Sequence, residues 1–325
     1  MKKIKILCGI VLFIVLFFTI INLIPPTKNV ETNPFIVKDG KLPMIAAHRG
    51  GADNFPENTM LAFKSAIREV GIDILESDIY LTKDNHLVFN HDEYIDSTCD
   101  INGDITKDEI KDYHYIKDMT LAELQQYNFG YFFKDESDNR IYKNETNIKE
   151  KGLQIISLEE MFEEFYLTNP DLLFIIEIKN SGELGYKACK KLDEVLSKYP
   201  SYKDNIVIGT FHDEIEKELK EKYPYLLRGA PTTTAAKFVI SQLLGVNLFN
   251  KSDFACLQIP TSFDIGIDIP LDLKTIIKRA HKRNIAVQYW TINNEDEMRK
   301  LIELGCDCIM TDNPILLKQI LQEYQ

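Results

Sequence analysis

The chain is poor in four things. It has one tryptophan, Trp290, and six cysteines with no CxxC pair among them. It has no excess of positive charge, its formal charge being -12. It shows no internal repeat at a fixed period, which sets solenoids and propellers aside. Without CxxC pairs there is no zinc-ribbon or finger pattern. Cys99, Cys189, Cys256, Cys306 and Cys308 read as free core thiols, and Cys306 and Cys308 share one strand face rather than bridging each other. Cys8 stands before most of an apolar run, too early to carry a lipid. The missing basic stripe speaks against a nucleic-acid partner. An acidic chain that handles phosphate must do so locally, with a few placed cations or a metal.

Among the features present, the first is an uncharged run of about 19 residues from Ile6 to Ile24, roughly 28 Å as a helix, close to the hydrocarbon thickness of a bilayer. Lys2, Lys3 and Lys5 precede it. The positive-inside rule keeps them cytoplasmic and places the chain beyond Pro25 outside. The run ends Asn22-Leu23-Ile24-Pro25-Pro26 without a small-x-small cleavage site, so residues 1–24 read as an uncleaved, single-pass anchor in the cell membrane rather than a secretory signal. Residues 25–42 carry three prolines and no period, and read as a linker.

From residue 43 onward short apolar runs alternate with helical patterns. The strand-like runs are 44–48, 73–80, 172–179, 205–211, 226–230, 254–260, 285–291 and 307–312. Helical patterns begin near Asn58, Ser157, Glu183, Asp213, Thr234, Leu271, Asn294 and Asn313. The 45% apolar content supports a sizeable core. Eight strands and eight helices make an α/β chain with the (βα)8 TIM barrel as its expected fold over 43–325. One run, His86 to Asp92, is left over. No crossover helix fits before it, so it returns as a hairpin about Asp84-Asn85, with opposed residue numbers summing to about 169. That register puts His91 beside Asp78, within a residue or two. From about 93 to 156 the rhythm stops. This polar stretch, with one short helix at Thr120, reads as an insertion above the barrel, of the kind that closes over substrate.

Barrel chemistry gathers at the C-terminal ends of strands. There the sequence places His48 and Arg49, then Glu76 and Asp78, then His91 and Asp92, then Glu177 and Lys179, and finally Trp290 and Asp312. Glu76 with Asp78, and Glu177 with Lys179, are spaced i, i+2 on one strand face. Charges inside apolar strands are costly unless paired or metal-bound. Three carboxylates without thiols make a hard oxygen site suited to Ca2+ or Mg2+. Arg49 offers a planar fork for phosphate and Lys179 a point charge. His48 and His91 suit general acid and base. Together these equip a site for displacement at a phosphodiester.

The stretches HRGGADNFPENTMLAF, ESDIYLTKDNHLVFNHD, TLAELQQYNFG, SLEEMF, FIIEIK, QYWTIN and GCDCIMTDNP resemble the glycerophosphodiester phosphodiesterase family in order and spacing, over roughly 44–320. The resemblance implies a (βα)8 barrel and metal-dependent cleavage of glycerophosphodiesters to glycerol 3-phosphate and an alcohol. Carried over, it gives His48 and His91 the acid–base roles, Glu76, Asp78 and Glu177 the metal, and Arg49 and Lys179 the phosphate. Glu57 stands between metal ligand and partner of Arg49. Trp290 stands between core packing and an apolar wall against the substrate. The family's arginine after HD is absent from Ile95-Asp96-Ser97-Thr98. The expected substrate is a small glycerophosphodiester or a polyglycerol-phosphate wall polymer. The alternatives are a phospholipase D-like lyase forming a cyclic phosphate from lysolipids, and an inactive anchored binding protein. The lyase would need an apolar barrel mouth, which the 93–156 stretch does not advertise. The intact charged set argues against the binding protein.

Overall fold

The computed structural model describes residues 2–38, 40–104, 110–264, 266 and 268–325. Helix α1 (Lys2–Leu23) precedes β1 (Met44–Ala47). Then come α2 (Met60–Ser65), β2 (Ile74–Leu81), the return strand β3 (Leu87–Phe89), short α3 (Leu121–Leu124) and α4 (Ile148–Lys151), α5 (Leu158–Phe165) and β4 (Leu173–Ile178). The second half runs α6 (Gly182–Leu196), β5 (Ile206–Gly209), α7 (Asp213–Lys222), β6 (Leu227–Arg228), α8 (Thr232–Leu243) and β7 (Cys256–Ile259). A hairpin of β8 (Ser262–Asp264) and β9 (Asp268–Pro270) follows, then α9 (Lys274–His281), β10 (Ala286–Tyr289), α10 (Glu295–Leu304), β11 (Cys308–Thr311) and α11 (Pro314–Gln322).

The parallel strands lie in the order β6-β5-β4-β2-β1-β11-β10-β7. A parallel bridge from Gly229 to Cys256 joins the two ends. Around it Ala255 N donates to Arg228 O at 2.8 Å and Ala230 N to Cys256 O at 2.9 Å. The sheet is thereby closed, and the expected (βα)8 barrel is the fold. Helices cover the outside because parallel strands must be buried on both faces. Each helix presents an apolar stripe. On α5, Leu158, Met161, Phe162 and Phe165 are buried, and Ser157 and Glu160 form a capping box at its start.

The stretch expected as a linker is fixed to the base of the barrel. Asn33 Nδ2 donates to Ala255 O and Asn284 O, both at 2.9 Å. Val37 N donates to Asp307 Oδ1 at 3.0 Å. These partners precede β7, β10 and β11, so they mark the N-terminal end of the strands. Between these ties Phe35 is fully buried against Ile74, Ile175, Val207 and Ala286 inside the barrel. It plugs the end opposite the strand tips. Irregular backbone hides this role from periodicity, since a single ring makes the contact.

The insertion also differs from its expectation. Its described residues build a small core of Ile95, Cys99, Ile116, Leu124, Phe129 and Ile155 with Val88 of β3. Asp96 is buried inside it and accepts from His114 N at 2.7 Å. Backbone bonds tie it to the β2–β3 side of the barrel, among them Lys83 N to Met119 O at 2.9 Å and Leu61 N to Gly152 O at 3.0 Å. None of its described residues lines the cavity at the strand tips. Its described residues buttress the hairpin and do not cover the mouth.

Helix α1 is apolar over Lys3–Leu23, its most apolar 18 residues having a mean hydropathy of 2.9 and 6% of them buried. By length and composition it is able to cross a membrane. Its last turn is tied to the barrel, where Asn22 Nδ2 donates to Gly245 O at 2.9 Å. The plug gives the first prediction. Removing a buried aromatic ring costs about 3–5 kcal/mol, so Phe35→Ala lowers the thermal midpoint. A soluble fragment starting at Thr27 is accordingly more stable than one starting at Lys41. Equal midpoints for the two fragments in calorimetry would refute the plug.

Candidate active site

The site is built first by the turn after β1. His48 ends the strand, and the next three residues are left-handed, with φ of 53° at Arg49, 85° at Gly50 and 93° at Gly51. Glycine is required at the last two. A Cβ on Gly50 would stand 2.8 Å from the Phe63 ring, and one on Gly51 2.8 Å from Pro314. The turn aims Arg49 back over the strand tips, and Arg49 N donates to Glu76 Oε2 at 3.0 Å. Thr59 then caps α2, accepting from Ala62 N at 3.2 Å.

Strands β2 and β4 supply the charges. Their register sets Asp78 against Glu177, so the two i, i+2 pairs become neighbours. Glu76 and Asp78 are 5% and 3% exposed. Lys179 Nζ lies 3.4 Å from Asp78 Oδ1 and 3.1 Å from Glu177 Oε1. Arg49 Nε lies 3.9 Å from Asp78 Oδ2. The hairpin return forms as expected, with Ile79 opposite Phe89 and Leu81 opposite Leu87. Opposed numbers therefore sum to 168, one residue from the expected register. Asn90 N donates to Asp78 O at 3.1 Å, and His91 follows into the mouth.

Each histidine is seated on an aspartate. His48 Nδ1 lies 2.5 Å from Asp312 Oδ1, and Asn293 Nδ2 donates to Asp312 Oδ2 at 2.7 Å. His91 Nδ1 lies 3.0 Å from Asp92 Oδ1, and Ser97 Oγ donates to Asp92 Oδ2 at 2.9 Å. A carboxylate at Nδ1 fixes ring and tautomer and leaves Nε2 for the substrate. The sequence places Asp312 at a strand tip but does not pair it with His48, because 264 residues separate them.

His48, Arg49, Glu76, Asp78, His91, Glu177 and Lys179 all line one cavity of about 750 Å³. Trp290 lines it too, edge-on to Phe211 with centroids 6.5 Å apart. Glu57 sits behind, where Arg49 Nη1 donates to its Oε2 at 3.2 Å. In this structure it is the partner of Arg49. Three of the four other histidines are hydrogen-bonded elsewhere, and His86 Nδ1 lies 4.0 Å from Glu159, away from the cavity. The His212 ring meets Lys179 O at 3.1 Å, His114 meets Asp96, and His281 meets Asp307.

Burial dominates the electrostatics. It pushes the Glu76 carboxyl up to about 7, against the pull of His48. Burial and then Asp78 raise Glu177. For His48 burial works downward, but Glu76 and then Asp312 outweigh it, and its pKa stands above the ordinary imidazole value. For Lys179 burial is likewise outweighed, by Asp78 and Glu177. Three of the charged atoms face an opposite charge without good hydrogen-bond geometry. Asp78 Oδ2 and Glu177 Oε1 are buried acceptors without a well-directed hydrogen bond, and Arg49 Nε is a buried donor without one. Among the described residues no three His, Cys, Asp or Glu side chains already form a metal cage. The donor set nevertheless fits a hard divalent cation. Three oxygen ligands face two fixed cations, and the unsatisfied atoms are carboxylate oxygens.

A closed barrel with acids, cations and two aspartate-seated histidines at its strand tips defines a class, the barrel enzymes that cleave phosphodiesters. A sequence model of the glycerophosphoryl diester phosphodiesterase family matches residues 48–316, and the chain belongs to that family. With that membership it is an enzyme of glycerophosphodiester hydrolysis. A glycerophosphodiester phosphodiesterase of Caldanaerobacter subterraneus is 28% identical over 280 residues, covering 86% of this chain and 98% of the relative. A lysophospholipase D of Homo sapiens is 28% identical over 295 residues, covering 86% of each chain. The crystal structure of a glycerophosphoryl diester phosphodiesterase domain from Mycobacterium tuberculosis superposes with a TM-score of 0.69 at 17% identity, covering 86% of this chain and 99% of that one. The last likeness shows the fold.

The His48–Asp312 pair generates a prediction. Asp312→Asn removes a charge that raises the His48 pKa, so that pKa falls. The limb of the kcat/KM–pH profile that reports His48 then moves to lower pH. Turnover drops on the order of 10²-fold as the ring loses its seat, with the thermal midpoint unchanged. A profile superposable on that of the unaltered enzyme would remove Asp312 from the machinery.

Proposed function

We propose that the chain is a membrane-anchored hydrolase of glycerophosphodiesters, working outside the cytoplasm with His48 and His91 as its acid–base pair. One observation carries the reading. A buried donor on Arg49 and buried acceptors on Asp78 and Glu177 stand side by side at the strand tips without a well-directed hydrogen bond, the Glu177 oxygen 3.1 Å from Lys179 Nζ and the Asp78 oxygen 3.9 Å from Arg49 Nε. A phosphodiester bound with a cation satisfies both kinds at once. Glu76, Asp78 and Glu177 would hold Ca2+ or Mg2+, which when bound supplies charge neutralisation to the phosphate. Arg49, braced by Glu57, offers its fork to phosphate oxygens, and Lys179 adds a point charge. One imidazole takes the proton of the attacking water, or of the glycerol 2-hydroxyl on a route through a cyclic phosphate. The other returns a proton to the leaving alkoxide, and glycerol 3-phosphate and an alcohol result. Trp290 forms an apolar wall on the opposite side.

The apolar run Ile6–Ile24 with Lys2, Lys3 and Lys5 before it supports a single-pass anchor with the barrel outside. A second reading takes single-chain lipids as substrate. It has in its favour the human relative named a lysophospholipase D and the apolar flank of the cavity along α8.

The test is glycerol 3-phosphate release from glycerophosphocholine by the full chain in lipid nanodiscs. General acid–base help is worth roughly 10²–10⁴-fold. His48→Ala and His91→Ala should each lower kcat by that range without shifting the thermal midpoint. Near-normal turnover in either variant would end the assignment.

A further inference from the structure

We infer that an apolar groove along α8 holds the acyl chain of a lysophospholipid whose phosphodiester sits at His48 and His91. The inference rests on the phosphodiesterase reading and narrows its substrate class.

The cavity does not stop at the charged cluster. Beyond Phe211 and Trp290 it runs on between the β8–β9 hairpin, through Phe263 and Ile269, and one face of α8. That face is Ala235, Ala236, Val239, Ile240 and Leu243. Its spacing is a single helical stripe. The one charged residue of α8, Lys237, falls off the stripe. The lining is thus divided, with every charged side chain at the strand tips of β1, β2, β4 and the β3 return, and an uncharged wall along α8. Ile240 is 55% exposed, Leu243 48% and Phe263 54%. A contiguous wet apolar wall of this kind marks a binding surface. A glycerol headgroup ends at the phosphate and reaches none of it.

Two features select an acyl chain over other occupants. The groove is continuous with the residues that handle the phosphodiester, so its occupant is joined to the substrate. It also leads toward the lipid. Helix α8 spans about 18 Å from the mouth to its end. There Gly245 O accepts from Asn22 at the last turn of α1, the helix long and apolar enough to cross a membrane. A lysolipid leaving the bilayer beside α1 meets the groove before the catalytic end. In the reaction a water oxygen bonds to phosphorus and the bond from phosphorus to the headgroup oxygen breaks. The headgroup alkoxide receives a proton. The products are the headgroup alcohol and an acylated glycerol phosphate, with no co-reactant beyond water.

The test uses the full chain in nanodiscs, with divalent cation present, and reads choline release. Substrates are glycerophosphocholine and monomeric lysophosphatidylcholines of increasing acyl length. We expect kcat/KM to climb about fourfold per added methylene while the chain fills the groove. Ile240→Lys and Leu243→Lys should flatten that climb, and both positions are exposed enough to carry a charge without unfolding, which the thermal midpoint checks. A binding readout runs beside it. Trp290, the only tryptophan, should shift its emission to shorter wavelength when an ether lysolipid carrying a phosphonate carbon in place of the headgroup ester oxygen binds without added cation. Flat chain-length dependence with glycerophosphocholine turnover intact overturns the groove and leaves the phosphodiesterase reading standing. A climb untouched by both lysine variants, even if they loosen vesicle binding, also overturns it, because α8 would then rest on the bilayer instead. No turnover of any diester sinks the underlying reading, and the groove with it.

Discussion

Everything at this site depends on three carboxylates held out of water on neighbouring barrel strands. Asp78 and Glu177 are tolerated there because Arg49 and Lys179 stand within a few ångströms, and Glu76 because Arg49 N donates to it and His48 Nε2 lies 4.0 Å away. Burying unpaired charge costs far more than one domain's margin of stability. The pairing is incomplete, with three acids against two bases and buried oxygens left over. A fold held together by ion pairs alone would gain by closing that gap. A fold that must receive both a cation and a phosphate cannot. On the proposed function, the deficit in hydrogen bonding is the room the barrel keeps for its ligands.

The rest of the molecule is arranged to keep that end open and charged. The opposite end of the barrel is sealed by Phe35, so the interior is dry where nothing binds. The described residues of the insertion pack against the hairpin that carries His91 and do not line the mouth. The wall facing the charged cluster is apolar, from Trp290 through Phe211 to α8. One cavity therefore joins a polar reaction centre to a hydrophobic flank, and the flank lies on the side where α1 meets the barrel.

Much of this is legible in the sequence, and the reasons are physical. Barrel strands announce themselves as short apolar runs, and a charge within such a run stands out against them. Gly50 and Gly51 come after His48 and Arg49 because only glycine fits the left-handed turn against Phe63 and Pro314. The hairpin register comes within one residue because Asp84-Asn85 fixes the turn, Asn85 adopting φ of 63°. Contacts across the barrel are not legible in the same way. No spacing rule pairs His48 with Asp312. The apolar stripe of α8 reads as an ordinary core face, because sequence does not say that no neighbour covers it. The polar composition of the insertion hides its small core, and an irregular stretch with three prolines hides the plug at Phe35. Glu57 is a special case. Two roles suit its chemistry, and only the distance to Arg49 shows which partner it holds here.

The central claim is that the carboxylate cluster is a cation site and not a structural ion-pair network. Calorimetric titration of the full chain with Ca2+ and with Mg2+ at neutral pH tests it most directly. Burial holds Glu76 up to about 7, so near that pH part of the population is protonated, and a bound cation must expel the proton. The account predicts binding of one cation with proton release. Binding should weaken about tenfold or more in each of Glu76→Gln, Asp78→Asn and Glu177→Gln. Absence of binding, or binding undiminished in all three variants, would contradict it.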